Sequence, residues 1–304
     1  GVGRLNSYFM YPLSFDEFLE ALGENLLITM KNSCKLKPLE PVFHNRLIDY
    51  LKTFYIIGGM PEIVQEYVNS KNILACRKKL NDIIETFRDD FAKYKKRSAV
   101  VRLNEVFESI AFQAGNKFKY SKIDSLSAHN SLKDALELII QAGLAYKVYH
   151  TSAEGIPLGA QIKIKKFKVV SFDTGIHLQI LGLDVADIIA ARNLEMINKG
   201  SVAELFVGLE LIKAQPFNVR PKIYYWHKEK KASNAEIDYV IQKNERIIPI
   251  EVKSGLTGKM QSMKIFMNEK NIKSGIRCSL ENFSNYGNIK ICPLYAVKTI
   301  QEFL

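Results

Sequence analysis

Along the first ninety residues, apolar side chains recur at helical spacing. Leu47, Tyr50, Leu51 and Phe54 share one face, and Leu80, Ile83, Ile84, Phe87 and Phe91 form a stripe on a helix expected from about Leu74 to Tyr94. Ser14-Phe15-Asp16-Glu17 reads as a capping box, with the glutamate three residues after the serine, and opens an apolar run through Leu19. Gly58-Gly59-Met60-Pro61-Glu62 interrupts the pattern: paired glycines supply unusual backbone angles, and Pro61 suits the first turn of the next helix.

From Arg102 to about Thr151 the pattern predicts three short helices and a strand. Leu103, Val106, Phe107, Ile110 and Ala111 form the first apolar face, and Tyr120 to Ile123 starts a second, shorter element. Ser131 is the expected cap of the third helix, with Leu132, Ala135, Leu136 and Ile139 inward and Gly143 past its end. Leu144 to His150 then alternates as a strand. This is the order of a winged helix, which usually sets its third helix against DNA; the same module also serves as a spacer or protein contact.

Beyond Phe167, strands and helices mix. Phe167 to Phe172 is a strand candidate ending at Asp173-Thr174-Gly175, a turn that caps a helix. A long helix follows Gly200, with Leu205, Phe206 and Leu209 inward. Strands are expected over Lys222–Trp226, Glu236–Ile241, Ile247–Lys253, Gly275–Ser279 and Pro293–Val297, a helix over Lys259–Met267, and a short helix at the tail.

Composition adds class limits. Over 304 residues, 47% are hydrophobic and 25% charged, which excludes a largely disordered, collagen-like or disulfide-dense chain and suits about two domains. No apolar run approaches the roughly 20 residues that span a bilayer, and the expected compartment is the cytoplasm. Cys34, Cys76, Cys278 and Cys292 lie too far apart for zinc or thioredoxin-like chemistry and read as free thiols. The five histidines show no ligand spacing.

Charge sharpens the picture. The net formal charge is +11, and between Phe91 and Lys168 fourteen basic residues face six acidic ones, an excess of +8. Such a module is either an electrostatic footprint for phosphate backbones or a solubilising face. Lys119, Lys122, Lys133, Lys163, Lys165 and Lys166 are the candidate nucleic-acid contacts.

The candidate chemistry sits near Asp238, Glu251 and Lys253. A tight antiparallel turn centred between Asn244 and Glu245 brings position 238 opposite 251, with Lys253 one step along the same face. Opposed carboxylates among Ile, Val and Tyr are unfavourable unless paired. A divalent cation relieves this, and oxygen-only ligation suits Mg²⁺ or Mn²⁺. Glu204, four residues into the helix after Gly200, supplies another carboxylate if that helix packs on the hairpin. A solvated, salt-bridged face is the other reading. Pro249, within the second strand, suggests an edge or a bulge.

Several segments in order carry a family resemblance: Met10-Tyr11-Pro12-Leu13-Ser14-Phe15-Asp16-Glu17-Phe18-Leu19, Gly58-Gly59-Met60-Pro61-Glu62, Asp90-Phe91-Ala92-Lys93-Tyr94, Phe118-Lys119-Tyr120-Ser121-Lys122 and Phe172-Asp173-Thr174-Gly175. Tyr225-Trp226, Glu236-Ile237-Asp238, Ile250-Glu251-Val252-Lys253-Ser254-Gly255 and Pro293-Leu294-Tyr295-Ala296 continue it. The chain resembles the carboxyl-terminal two thirds of a prokaryotic AAA-type ATPase of the family that carries a restriction-endonuclease-like domain of unknown function. That resemblance implies a multidomain α and α/β architecture: a helical ATPase lid remnant at residues 1–95, a winged-helix module at 96–165 and a mixed-sheet PD-(D/E)XK nuclease-like domain at 166–304. It implies Asp238, Glu251 and Lys253 as catalytic positions and Glu204, Asp238 and Glu251 as metal ligands for Mg²⁺ or Mn²⁺.

No G-x-x-x-x-G-K-[S/T] occurs, so this segment is not expected to bind ATP, and the nucleotide-binding core is expected before Gly1. The expectation is a DNA-binding module with a candidate Mg²⁺-dependent DNA endonuclease site, with self-association through the ATPase region. The alternatives are a non-catalytic DNA- or protein-binding regulatory domain and a purely structural charged hairpin.

Overall fold

The protein is described from a computed structural model covering residues 4, 6–33, 37–93, 97–123, 129–183, 200–229, 234–256 and 259–303. The amino-end signals act as the sequence expects. The Ser14 hydroxyl accepts from the Glu17 N–H and the Glu17 carboxylate accepts from the Ser14 N–H at 2.7 Å, closing the capping box on α1 (Phe15–Ala21). Then come α2 (Asn25–Ser33), α3 (Pro41–Ile57), α4 (Pro61–Ser70) and α5 (Ile73–Ala92). Pro61 occupies the first turn of α4, and Asn72 caps α5.

The basic stretch forms α6 (Arg97–Phe112), a 3₁₀ turn (Tyr120–Lys122) and α7 (His129–Gln141). Ser131 lies inside α7 rather than at its cap. The helix begins two residues earlier, at His129, whose ring packs edge-on to Tyr120 at 4.6 Å. α8 (Thr174–Ile180) is capped by Asp173, whose carboxylate accepts from the Ile176 N–H at 3.0 Å and from the Gly59 N–H at 2.7 Å. This contact explains the glycine pair: Gly58 has φ 72°, and a Cβ there would sit 2.1 Å from the Asp173 carboxylate.

Eight strands form one mixed sheet: β1 (Ala145–Thr151), β2 (Ile162–Ser171), β3 (Ile223–His227), β4 (Glu236–Lys243), β5 (Arg246–Val252), β6 (Gly275–Ser279), β7 (Ser284–Tyr286) and β8 (Ile289–Pro293). Their order is β2-β1-β3-β4-β5-β6-β8-β7. β1 and β2 follow α7 as winged-helix strands would, yet β1 also pairs in parallel with β3, so both belong to the large sheet. The boundary expected at 165/166 falls inside β2.

Helices α9 (Ser201–Lys213) and α10 (Gln261–Glu269) cover the sheet. Trp226, Ile237, Val240, Met263 and Phe266 make a smaller cluster under α10. The larger core runs from Phe15 to Ile300 and includes α1, α3, α5, α9 and the inner sheet positions. Phe15 and Phe54 both meet Phe206 edge-on, at 6.2 and 6.0 Å, so the amino-terminal helices pack directly on α9.

Two strand expectations need correction. The last strand is Ile289–Pro293, and Leu294–Phe303 is 3₁₀-helical. Leu294, Tyr295, Ala296 and Val297 are all buried, and a short apolar run does not distinguish strand from helix. Pro249 lies in a central strand, between β4 and β6. Alternation from the two-residue turn makes Tyr239↔Ile250 and Ile241↔Ile248 the bonded pairs, so the missing N–H of Pro249 faces β6, where pairing begins only at Ile250↔Ile276. The three-residue β7 had no sequence signal.

Among the described residues no helix is long and apolar enough to cross a membrane. Cys76, Cys278 and Cys292 are free and buried; Cys34 lies outside the described residues.

His177, on α8, is fully buried, and neither ring nitrogen has a hydrogen-bond partner. Burial lowers its pKa from 6.5 to about 4. The neutral ring is the one the fold accepts, so the associated stability is complete above pH 6.5 and is lost as pH falls toward 4, by about 3 kcal/mol. His177→Leu is expected to flatten the pH dependence of the chemical-denaturation midpoint between pH 7 and pH 4. An unchanged slope would place the acid sensitivity elsewhere.

Candidate functional site: a buried lysine among carboxylates

The β4–β5 hairpin turns at Asn244-Glu245, with Asn244 left-handed at φ 53°, a conformation asparagine tolerates. Lys243↔Arg246 and Tyr239↔Ile250 are partners. Continued by one pair, this register sets Asp238 opposite Glu251, as the turn position predicts.

A bulge modifies the outcome. Tyr224 pairs with Val240 but Trp226 pairs with Ile237, so Asp238 and Tyr239 together oppose the single residue Tyr225. Ile237 and Val240 consequently both face the α10 cluster. Tyr239 turns to α9, donating its hydroxyl to the Glu204 backbone carbonyl at 2.8 Å, with its ring against Gly208. Asp238 is re-aimed too: its Oδ2 accepts from the Val252 N–H at 2.7 Å, and its carboxylate feels the charges of Glu204 and Lys168.

Lys168, near the end of β2, stands at the centre. Its Nζ lies 2.7 Å from Glu204 Oε1 and 2.5 Å from Glu236 Oε1, with its side chain 2% exposed. The ammonium also sits 5.3 Å from the Tyr225 ring centroid. Burial alone would lower the lysine pKa, but the Glu204, Asp238 and Glu236 carboxylates raise it well above the ordinary range. Glu204 occupies the first turn of α9, where the helix dipole favours negative charge. Burial, then the Glu204 charge, raises the Asp238 pKa from 3.8 to about 7.

Glu251 and Lys253 make a separate pair, Nζ to Oε1 at 2.8 Å. Glu251 Oε2 is buried without a partner. Lys253, Val252 and Ser254 line a cavity of about 560 Å³ with Glu204, Gly200, Ser201, the end of α6 and the turn after it. The expected positions Glu204, Asp238, Glu251 and Lys253 thus gather in one region.

They do not form a three-ligand metal shell. Among the described residues no group of three or more His, Cys, Asp or Glu side chains is placed to hold a metal ion. An ammonium lies between Glu204 and Glu236, and Glu251 Oε1 is taken by Lys253. The donor set in this arrangement does not fit a divalent cation.

The six candidate DNA lysines are all exposed. Lys119 and Lys122 flank or end the 3₁₀ turn, and Lys133 is on α7. Tyr149 pairs with Phe167 but His150 pairs with Lys163, so residues 164–166 bulge from β2. Lys163 and Lys166 both pair with Glu229. Lys117 joins this basic edge through a bridge to Lys168.

The sequence pattern does not single out Lys168 or Glu236 as site residues, and Lys168 falls within the basic stretch. The available signal was a lysine within the apolar run Phe167–Phe172, where a buried charge needs a partner.

Two family models match the chain, each a domain of unknown function: DUF8612 over residues 48–187 and DUF4143 over residues 199–297. Neither curated proteins nor solved structures gave a match. Lys168 lies in the first matched region, and Glu204, Glu236 and Asp238 lie in the second.

Asp238→Asn keeps an acceptor for the Val252 N–H and removes a buried charge. The Asp238 pKa is raised, so ionisation opposes folding as pH climbs from 3.8 to about 7. The variant is expected to melt a few degrees above wild type at pH 8, with the gap closing toward pH 4. A lower melting temperature at pH 8 would mean that the charged carboxylate is favourable.

Proposed function

We propose that this chain is the DNA-engaging carboxyl-terminal part of a prokaryotic AAA-type ATPase, in which the nuclease-like core holds DNA rather than cutting it. The observation that carries the reading is the basic edge of β2. Its bulge holds Lys165 and Lys166, with Lys163 flanking, out in solvent beside Lys117, where sequence-independent phosphate contacts form. The order α6, 3₁₀ turn, α7, β1, β2 supports a winged-helix-derived mode of approach. The ordered motifs and the DUF4143 match support the ATPase context. The arrangement of Lys168 among the carboxylates supports holding over hydrolysis.

A second reading, a Mg²⁺- or Mn²⁺-dependent endonuclease, is favoured by one observation: the unpartnered buried oxygen of Glu251 next to Lys253. The fold alone does not choose between the two.

Fluorescence anisotropy with a labelled duplex across a salt series tests the proposal. Affinity is expected to fall with salt, and a combined Lys163→Gln, Lys165→Gln, Lys166→Gln variant is expected to bind more weakly, its log–log salt slope shallower by about 2 to 3. No binding at low salt would remove the DNA reading. Plasmid nicking with Mn²⁺ that disappears in Asp238→Ala would transfer the assignment to the endonuclease.

A further inference from the structure

We propose that the Lys168 ammonium is the resident cation of the carboxylate centre, a covalently tethered replacement for an exchangeable divalent ion. This holds whether or not the chain engages DNA.

Position is the first argument. The ammonium contacts Glu204 from α9 and Glu236 from β4, and Asp238 is the third carboxylate acting on it. An ammonium offers three N–H donors and no acceptor, so it can serve several carboxylates at once. At 2.7 and 2.5 Å from their oxygens it occupies the space in which a metal bridging the two would lie.

The second argument is access. Glu204 borders an open cavity of about 560 Å³ lined also by Ser201, Lys253 and Ser254, so a hydrated cation can reach the cluster's edge at Glu204. What opposes uptake is the charge already present. Lys168 also cannot swing away cheaply. Its backbone is fixed by pairing to Val148 on one side and by the bridge to Lys117 on the other, and its side chain is enclosed against Tyr225. A buried ion pair is costly to break because either partner is left uncompensated.

The third argument is sequence context. Phe167, Val169 and Val170 surround Lys168 in a strand whose last four positions are buried, where a lysine without a charge to meet would be strongly unfavourable. The carboxylates that meet it come from more than thirty residues downstream.

Binding of Mn²⁺ to the 304-residue protein, followed by loss of the free-ion electron paramagnetic resonance signal, tests this. Wild type is expected to show no saturable site dependent on Glu204. Lys168→Ala is expected to gain one site, at least about tenfold tighter than any wild-type binding, and to lose it when combined with Glu204→Gln. Its melting temperature should fall in chelator and recover with Mn²⁺. If Lys168→Ala does not fold, the milder Lys168→Gln carries the gain measurement. A wild-type Mn²⁺ site abolished by Glu204→Gln would overturn the proposal, as would a folded Lys168 variant that gains no site. Failure of DNA binding would leave these outcomes unaffected.

Discussion

A lysine removed from water must be met by negative charge, and that requirement at Lys168 organises the centre of this protein. The ammonium draws together β2, the first turn of α9 and the start of β4. In the sheet order β2 and β4 are separated by β1 and β3, which in a flat sheet would place them about 14 Å apart. The contact with Glu236 spans that separation with the Lys168 ammonium over the Tyr225 ring of the intervening strand, as the twist of a sheet allows. Moving α9 would uncover the ammonium, and moving β4 would leave Glu204 its only contact within ion-pair distance. Charge pairing and hydrophobic packing therefore fix the same arrangement, with Tyr239 and Gly208 fitted together beneath Glu204.

The same strand uses lysine in two opposite ways. Lys163, Lys165 and Lys166 stand in water at and beside the bulge of β2, whereas two residues later Lys168 is enclosed. The change coincides with the point where Phe118 donates its N–H to the Phe167 carbonyl and Lys117 bridges to Lys168, covering the strand's outer edge. Up to that point the edge is open, and a lysine-rich bulge also discourages another strand from adding to it. The basic excess counted along the sequence thus overstates the charge available to a phosphate backbone, since Lys168 is spent internally and Lys163 and Lys166 share Glu229.

Local features were legible in the sequence because local rules determine them. The Ser14 capping box, the Asp173 cap, the glycine pair and the turn between Asn244 and Glu245 each depend on a few adjacent residues. Asp238 opposite Glu251 followed from that turn alone. The bulge at Asp238–Tyr239 did not, because it arises from how β4 satisfies β3 and two helices simultaneously. Pro249 misled for a related reason: its tolerance depends on which neighbour its nitrogen faces, which becomes known only with the strand order. The apolar run around Lys168 signals that it is buried, but its partners are not legible, since they lie 36 and more positions away.

The ion cluster also bears on how the chain divides. Two family models meet between residues 187 and 199, a natural place to imagine a boundary. Yet β1 on one side, itself paired with β2, pairs directly with β3 on the other, and one hydrophobic core runs from Phe15 to Ile300. Phe206 of α9 packs on Phe15 and Phe54, from helices far upstream. Separating the halves would strand an ammonium in one and a carboxylate cluster in the other, each facing the desolvation cost that the pairing offsets. Lys168 comes from the first region and Glu204 and Glu236 from the second, so this ion cluster forms only when the two regions fold together.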